Sequence, residues 1–255
     1  MVNIIGKIAL VTGGGSGIGK AVALGLLKEG VNVFLAGRNL EKLEKTRIEA
    51  INNNYKGLTI IVKCDVSKEI DVKNLFNIIE DNFNRIDLLF NNAGVGLGTN
   101  TIDKIHYEDW KKVIDINING MFLCAKYAYV LMLKQLPKGG RIINNGSISA
   151  FTPRPGTSPY TTSKHAITGL TKSIALDGRN YDILCSQIDI GNAETELTKS
   201  FKEGVIQSNG LTMEEATMDA SHVADVIITI FKLPLSTNIL NLTIMANRMP
   251  YVGRG

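Results

Sequence analysis

The sequence predicts an α/β protein built on a doubly wound parallel β-sheet with helices on both faces. Short β-branched runs alternate along the 255 residues with longer amphipathic stretches, which is the pattern of repeated βαβ units. The strands are near-continuous apolar runs, as expected where helices cover both faces of a sheet. A (β/α)₈ barrel would usually carry its phosphate loop late in the chain, whereas the glycine cluster of this chain follows the first strand.

The elements follow one another along the whole chain. Seven runs are predicted as strands, at residues 7–12, 31–36, 58–64, 86–90, 140–147, 182–190 and 238–244. Six segments have helical periodicity, at residues 17–29, 40–53, 68–84, 107–136, 158–178 and 219–232. One long irregular stretch runs from about residue 192 to residue 218. Because no repeat or glycine-, serine- or proline-rich linker divides the chain, we expect a single domain over residues 1–255.

Composition excludes several classes of function. The 28 lysines and arginines exceed the 24 aspartates and glutamates by only four, with no block of like charge, so a nucleic-acid partner is not expected. The three cysteines lie far apart in apolar segments and are expected to be reduced core thiols. No signal peptide is evident, and the longest near-apolar run is shorter than the roughly 18 residues of a membrane span. We expect a cytoplasmic protein without a membrane partner and, since the histidines lack ligand spacing, without a metal.

The first strand runs into the glycine-rich segment Thr12–Gly19 and then into a helix. Glycines let the backbone approach a pyrophosphate, and the helix N-terminus offers unpaired N–H groups and a positive dipole end. The segment lacks the Lys-Ser/Thr ending of a P-loop, so ATP is disfavoured. The segment therefore predicts a dinucleotide phosphate cradle, the alternative being a turn that only packs a helix close to the sheet.

Polar residues follow the next strands. Arg38 stands where an NAD-preferring site would place an acid, so NADP is favoured, because a guanidinium could bind its 2′-phosphate. An isolated arginine at a strand end is about as often merely solvated, so this prediction depends on the phosphate cradle before it. Asp65 follows the third strand, where it is a candidate for the adenine amino group or for a helix N-cap, a role that Ser67 could take instead. Asn91–Gly94 follows the fourth strand, at the edge where open α/β sheets bind ligands.

Tyr160 and Lys164 are four apart in a helical segment, so their side chains share one face. A tyrosine exchanges protons more readily near neutral pH when a neighbouring ammonium favours the phenolate. Ser147 ends the fifth strand, where its hydroxyl could orient a carbonyl oxygen. Taken singly, the three are more often a surface tyrosine, a solvated lysine and a strand-end cap. Together, behind the cradle, they predict a catalytic site.

This combination resembles the short-chain dehydrogenase/reductase family over nearly the whole chain. The matching segments are Thr12–Gly19, Asn91–Gly94, Asn117, Ser147, Tyr160–Lys164 and Gly191–Thr195. The resemblance implies a Rossmann-type sheet with strand order 3-2-1-4-5-6-7. It also implies a tetrad in which Tyr160 is the general acid/base, Ser147 positions the substrate oxygen, Lys164 binds the nicotinamide ribose and assists Tyr160, and Asn117 supports a proton-relay water.

The same resemblance implies an NADP cofactor, with NAD as the alternative. The residues expected to contact it are Gly13, Gly15, Ser16, Gly17, Ile18, Gly19, Arg38, Asp65, Val66, Asn91, Asn92, Ala93, Gly94, Tyr160, Lys164, Gly191 and Thr195. Two positions depart from the family pattern. Ile190 precedes Gly191 where the family usually has proline, and Ser16 stands where many NADP users carry a second basic residue.

These residues predict hydride transfer between the nicotinamide and a carbonyl or alcohol substrate, the alternative being a non-catalytic NADP-binding interaction module. The 192–218 stretch, with Phe201, is a candidate lid that favours an apolar substrate, although its apolar residues could equally pack an ordinary loop. Arg154 either meets an anionic group at the site mouth or is simply exposed. The 107–136 helix is apolar on several faces, so we expect it to join two subunits, and the resemblance implies a homodimer or homotetramer.

Overall fold

The architecture is a parallel sheet between two layers of helices, seen in a computed structural model that describes residues 1–96, 98–195, 198 and 204–252. The strands are β1 (Ile8–Thr12), β2 (Asn32–Gly37), β3 (Thr59–Lys63), β4 (Leu88–Asn91), β5 (Gly140–Asn145), β6 (Ile183–Ile190), β7 (Val205–Ile206), β8 (Thr212–Met213) and β9 (Asn241–Ile244). The helices are α1 (Gly17–Lys28), α2 (Leu40–Asn52), α3 (Glu69–Phe83), α4 (Tyr107–Ile114), α5 (Met121–Lys134), α6 (Ser158–Asp177) and α7 (Ala220–Phe231).

The sheet confirms the predicted fold class and strand order. Seven parallel strands pair in the order β3-β2-β1-β4-β5-β6-β9. Strand order reverses direction at β1, which lies between β2 and β4. In open α/β sheets this reversal opens a crevice at the carboxyl ends of the strands, where ligands bind. All the segments singled out for chemistry lie at or near these ends.

Two apolar layers hold the sheet, and alternate residues of β1 contribute to each. Ala9 and Val11 pack in the layer that includes α1 and α7, whereas Ile8 and Leu10 pack in the layer that includes α3 and α5. Successive side chains of a strand point to opposite faces, so a continuous apolar run fills both layers. The tightly packed sheet is the rigid base on which the site rests.

The predicted 107–136 helix is α4 and α5 joined through a π-helical turn at Asp115–Gly120. In the described part of the chain, Tyr107–Lys134 is a helix long and apolar enough to cross a membrane. Its most apolar 18 residues have a mean hydropathy of 1.3, and half of them are buried inside the protein. The expectation of no membrane span rested on the shorter near-apolar run within this helix. Buried core helices meet the same criterion.

The 192–218 stretch is less irregular than expected. It contains the short antiparallel pair β7–β8, and a bridge joins Ala193 to Met218. Two-residue strands are too short for the periodicity of their sequence to reveal them. Phe201, which we assigned to the lid, lies outside the described residues.

Candidate active site

The glycine-rich segment forms a tight turn between β1 and α1. Gly13 adopts a positive φ of 69°. A Cβ at Gly19 would lie 2.3 Å from the Gly13 carbonyl oxygen, so only glycine lets the helix pack this closely. Ser16 precedes α1 in an extended conformation, and its side chain makes no capping hydrogen bond. The first N–H groups of α1 therefore remain available to a phosphate, and the cradle fits a dinucleotide.

A cavity of about 570 Å³ borders this cradle. Its lining residues are Gly15, Ser16, Gly17, Lys20, Lys42, Lys45, Glu194, Thr195, Thr198 and Thr217. Thr195 reaches the cradle directly, since its methyl carbon would lie 3.0 Å from a Cβ at Gly17. Ile18, the remaining cradle residue, is half-buried against the α1 layer of the core.

Lys42 is a cavity residue that the sequence analysis missed. It lies in the first turn of α2, and a Cβ at Gly15 would be 3.0 Å from the Lys42 Cβ. Arg38 is exposed at the end of β2, and Asn39 caps α2 by accepting a hydrogen bond from Lys42 N at 3.0 Å. Arg38 precedes the cap residue and is not helical, so no spacing in the sequence identifies the lysine.

Thr12 and Asn92 tie the carboxyl ends of the central strands together. Thr12 Oγ1 accepts hydrogen bonds from Asn92 N at 2.9 Å and Ala93 N at 3.0 Å. Asn92 Nδ2 donates to Thr12 O at 2.9 Å, and Asn92 Oδ1 accepts from Asn145 Nδ2 at 2.8 Å. Asn91 lies beneath the crevice, 1% exposed, and donates to Met121 O. This hydrogen bond joins the end of β4 to the first residue of α5.

Asp65 forms a local turn at the end of β3. Its Oδ1 accepts from Ser67 N at 3.1 Å and from Ser67 Oγ at 2.7 Å. The N-cap position of α3 is Lys68, whose side chain makes no capping bond, so neither Asp65 nor Ser67 caps the helix. Val66 is buried next to this turn.

Lys164 lies between Tyr160 and the end of β5, two residues before Ser147. Its Nζ donates to the carbonyl oxygen of Asn145, the last residue of β5, at 2.7 Å, and lies 5.4 Å from the centre of the Tyr160 ring. Ser147 follows Asn145 by two residues. The lysine is 3% exposed, so its ammonium is held between the strand end and the tyrosine rather than in solvent.

Ser147 is oriented by the turn that it begins. Its Oγ accepts a hydrogen bond from Ser149 N at 3.1 Å, which caps the short 3₁₀ turn Ile148–Ala150. A hydroxyl that accepts in this way still has its proton to donate. The structure therefore combines the strand-end cap with a hydroxyl that can donate to a substrate oxygen.

Asn117 lies in the π turn and is fully buried. Its side chain pairs with the backbone of Val95, accepting from N at 2.8 Å and donating to O at 2.9 Å. It also donates to Ser163 Oγ at 3.1 Å, and Ser163 Oγ donates to Tyr160 O at 2.7 Å. The side chain thus links the loop after β4 to the helix that carries Tyr160. Within α-helices, π turns occur frequently at functional sites.

The sequence matches the model of the family described as "short chain dehydrogenase" over residues 7–205. A 3beta-hydroxysteroid dehydrogenase of Mediterraneibacter gnavus is 38% identical over 193 residues, which cover 76% of this chain and 68% of that protein. The chain belongs to the short chain dehydrogenase family. It is accordingly an oxidoreductase with an NAD(P)-binding Rossmann fold that acts on hydroxyl or keto groups.

Solved structures of two reductases have the same fold. A 3-ketoacyl-(acyl-carrier-protein) reductase from Brucella melitensis, complexed with NADH, has a TM-score of 0.83 at 24% identity, covering 96% of this chain and 99% of that one. An actinorhodin polyketide ketoreductase with NADPH has a TM-score of 0.83 at 25% identity, covering 94% and 96%. Both forms of the nicotinamide cofactor therefore occur among these structural neighbours.

Gly191 of this short chain dehydrogenase is required by packing. A Cβ at this position would lie 2.6 Å from the Met245 Cβ, and Gly191 N donates to Ile244 O at 2.8 Å. Ile190, which replaces the usual proline, lies in β6 opposite Ile244. The loop after β6 is thus held by β9 without the ring of a proline.

Arg154 is neither exposed nor free to meet an anionic substrate. Its side chain is 15% exposed and forms an ion pair with Glu215, whose side chain is fully buried. Glu215 also accepts from Asn192 Nδ2 at 2.7 Å and Gln207 Nε2 at 2.9 Å. Burial raises the pKa of Glu215, but the bonds from Gln207 and Asn192 and the charge of Arg154 outweigh it, so the pKa lies below its ordinary value. We call Arg154, Asn192, Gln207 and Glu215 the lid cluster.

The three cysteines lie in the core. Cys64, Cys124 and Cys185 are buried and free, as expected for core thiols. Among the described residues, no group of three or more histidines, cysteines or carboxylates is arranged to hold a metal ion.

Proposed function

We propose that the protein transfers hydride between NADP(H) and a carbonyl or alcohol substrate, with Tyr160 as general acid/base. The observation that carries the proposal is the position of Lys164 Nζ, which is bonded to the end of β5 beside Ser147 and lies 5.4 Å from the Tyr160 ring centre. This contact supports the proposal because it joins the tyrosine and the lysine to the strand end that precedes the serine.

Each residue then has one task. The bound nicotinamide supplies or accepts the hydride. The Ser147 hydroxyl donates a hydrogen bond to the substrate oxygen, which fixes that oxygen next to Tyr160. The Tyr160 hydroxyl gives its proton to this oxygen in reduction and takes it back in oxidation. Asn117 holds the Val95 loop and, through Ser163, the helix turn of Tyr160 in register.

The decisive variant is Tyr160→Phe. Positioned proton transfer contributes roughly 10² to 10⁴ in rate, so kcat should fall by about that factor while NADPH still binds. Tyr181→Phe, at an exposed tyrosine, is the matched control and should leave kcat unchanged. A Tyr160→Phe enzyme with full kcat would contradict the assignment. Wild-type protein that binds NADPH but reduces no ketone would favour the non-catalytic module.

We propose NADPH as the preferred cofactor, held by Arg38 and Lys42. The exposed guanidinium and the lysine beside Gly15 flank the position expected for a 2′-phosphate. Charge-assisted hydrogen bonds contribute about 1.5–3 kcal/mol, so Arg38→Ala should raise KM for NADPH about 10-fold or more and leave KM for NADH unchanged. Lys28→Ala, at the far end of α1, is the control. Equal effects on the two cofactors would refute the assignment.

We propose an apolar substrate that reaches the site under the 192–218 segment. Exposed apolar side chains stand on this segment and just after the Ser147 turn: Phe151, Ile206, Leu211 and Met213. A suitable panel is a 3-ketosteroid, acetophenone, acetoacetyl-CoA and acetone, each with NADPH. The proposal expects kcat/KM to rise with apolar size and to be lowest for acetone. Acetone as the best substrate would overturn it.

We also propose a homo-oligomer in the cytoplasm. Phe122 and Val130 are 48% and 41% exposed on α5, although both are apolar. Their spacing of eight residues places them on one helix face. Association of this face with a second copy would bury both side chains.

A further inference from the structure

A buried carboxylate lies directly behind the proposed catalytic serine. Asp189 is the penultimate residue of β6 and is fully buried. Its donors in the described part of the chain are neutral groups. Oδ1 accepts from Ser147 N at 2.9 Å and from Gln187 Nε2 at 2.7 Å, and Oδ2 accepts from Asn241 Nδ2 at 2.7 Å. A buried side chain that accepts three hydrogen bonds holds its partners firmly.

The residue before the serine is shaped to admit this carboxylate. A Cβ at Gly146 would lie 2.2 Å from Asp189 Oδ1, closer than any real contact. Gly146 N also donates to Ile188 O at 2.8 Å. The N–H groups of Gly146 and Ser147 therefore both donate to β6, and only glycine leaves room for Asp189 beside the first of them.

These backbone hydrogen bonds to β6 set the direction of the Ser147 side chain. Ser147 is extended, with φ −165° and ψ 150°, and in this conformation its Oγ accepts from Ser149 N. Gln187 connects the same carboxylate to α6, because its Nε2 also donates to Thr168 Oγ1 at 3.1 Å, one turn beyond Lys164. Asp189 thus couples the serine turn to the helix of the tyrosine and lysine.

We propose that Asp189 is a positioning residue for the reaction. By accepting the Ser147 N–H, it holds the serine hydroxyl where it meets the substrate oxygen. The proposal rests on the proposed function of Ser147. It assigns no proton transfer to Asp189, whose role depends on an acceptor oxygen at the Oδ1 position.

Two variants separate this role from general stability. Asp189→Ala removes the acceptor, and a misplacement of about 1 Å can cost roughly 10²-fold in rate, so we expect kcat to fall about 10- to 100-fold with the Kd for NADPH unchanged. Asp189→Asn keeps an oxygen for the Ser147 N–H, while Asn241 can turn its amide oxygen to the new NH₂ group. Its kcat should stay within about threefold of wild type.

Ser186→Ala is the matched control. Ser186 is buried on the opposite face of the same strand and donates to Asn238 Oδ1 at 3.0 Å, so its loss should lower Tm without lowering kcat. Gly146→Ala places a Cβ against Asp189 Oδ1, so it should reproduce the kcat loss of Asp189→Ala. Wild-type kcat in Asp189→Ala, or equal losses in the alanine and asparagine variants, would overturn the proposal.

Amide hydrogen exchange tests the hydrogen bond from Ser147 N to Asp189 without a measurement of turnover. The Ser147 amide should be protected in the wild type, Asp189→Asn and Ser186→Ala, and should exchange rapidly in Asp189→Ala. Protection that survives in Asp189→Ala overturns the proposal. A wild-type protein that reduces no ketone of the panel but shows the expected exchange pattern instead overturns the proposed function. The two failures are therefore distinguishable.

Discussion

The ion pair of the lid cluster should make a measurable contribution to the stability of the protein. Arg154 and Glu215 join the loop after the Ser147 turn to the segment before α7, and the Glu215 side chain is fully buried. Arg154→Ala removes the guanidinium from that carboxylate, which keeps its hydrogen bonds from Asn192 and Gln207. Removing one partner of a buried ion pair costs about 3–5 kcal/mol, and the 15% exposure of Arg154 favours the lower end.

A loss of about 3 kcal/mol converts to a measurable shift of the melting temperature. For a chain of this size each kcal/mol lowers Tm by about 2–4 °C, so Arg154→Ala should melt roughly 6–12 °C below wild type. The assay is calorimetry at neutral pH. The control is Lys45→Ala, which breaks an exposed ion pair with Glu41 and should leave Tm unchanged within error. Equal Tm values for the two variants would refute the reasoning.

The pH dependence has a definite sign. The pKa of Glu215 is lower in the folded protein than its ordinary value, so its contribution is fully present above the unfolded pKa of about 4.3. The contribution is lost as the pH falls through the folded pKa. Glu215→Gln should therefore be less stable than wild type at pH 7, and the difference in Tm should shrink below about pH 4. A difference that grows on acidification would contradict the assignment.

Three further outcomes are expected. Arg141 is buried and donates to three backbone carbonyls after α7, so Arg141→Met should lower the unfolding free energy by about 3 kcal/mol in urea titrations, whereas the exposed Arg179→Met should not. Phe122→Asp should convert an oligomer to monomers in light scattering; an unchanged mass would exclude this face as the interface. Burial raises the pKa of Cys64 to about 12, as it does for Cys185, so a thiol reagent should label neither before the protein unfolds.

Local pattern was enough to predict the elements of the fold. The predicted strand at residues 182–190 and the predicted helix at residues 158–178 differ from the observed Ile183–Ile190 and Ser158–Asp177 by one residue at one end each. Apolar runs and helical periodicity are properties of consecutive residues, so they survive without knowledge of the tertiary contacts. The strand order, by contrast, followed from the family resemblance rather than from any single pattern.

The candidate site divides in the same way. The four-residue spacing of Tyr160 and Lys164 on one helix, and the glycines of the cradle, are local features that predicted the catalytic pair and the phosphate site. The π turn that carries Asn117 has no comparable signal, because its segment continues the helical pattern on either side. Lys42 escaped notice because only the packing of α2 on Gly15 brings it to the cavity.

The sequence by itself determined the fold class, the order of the elements and the residue types of the chemistry, since each depends on period or spacing along the chain. Only the tertiary structure decided what surrounds the chemistry. Arg154 meets Glu215 across 61 residues, and Ser147 N meets Asp189 across 42. Contacts between residues so far apart depend on how the strands align and how the loops cross them, and no window of sequence contains that information.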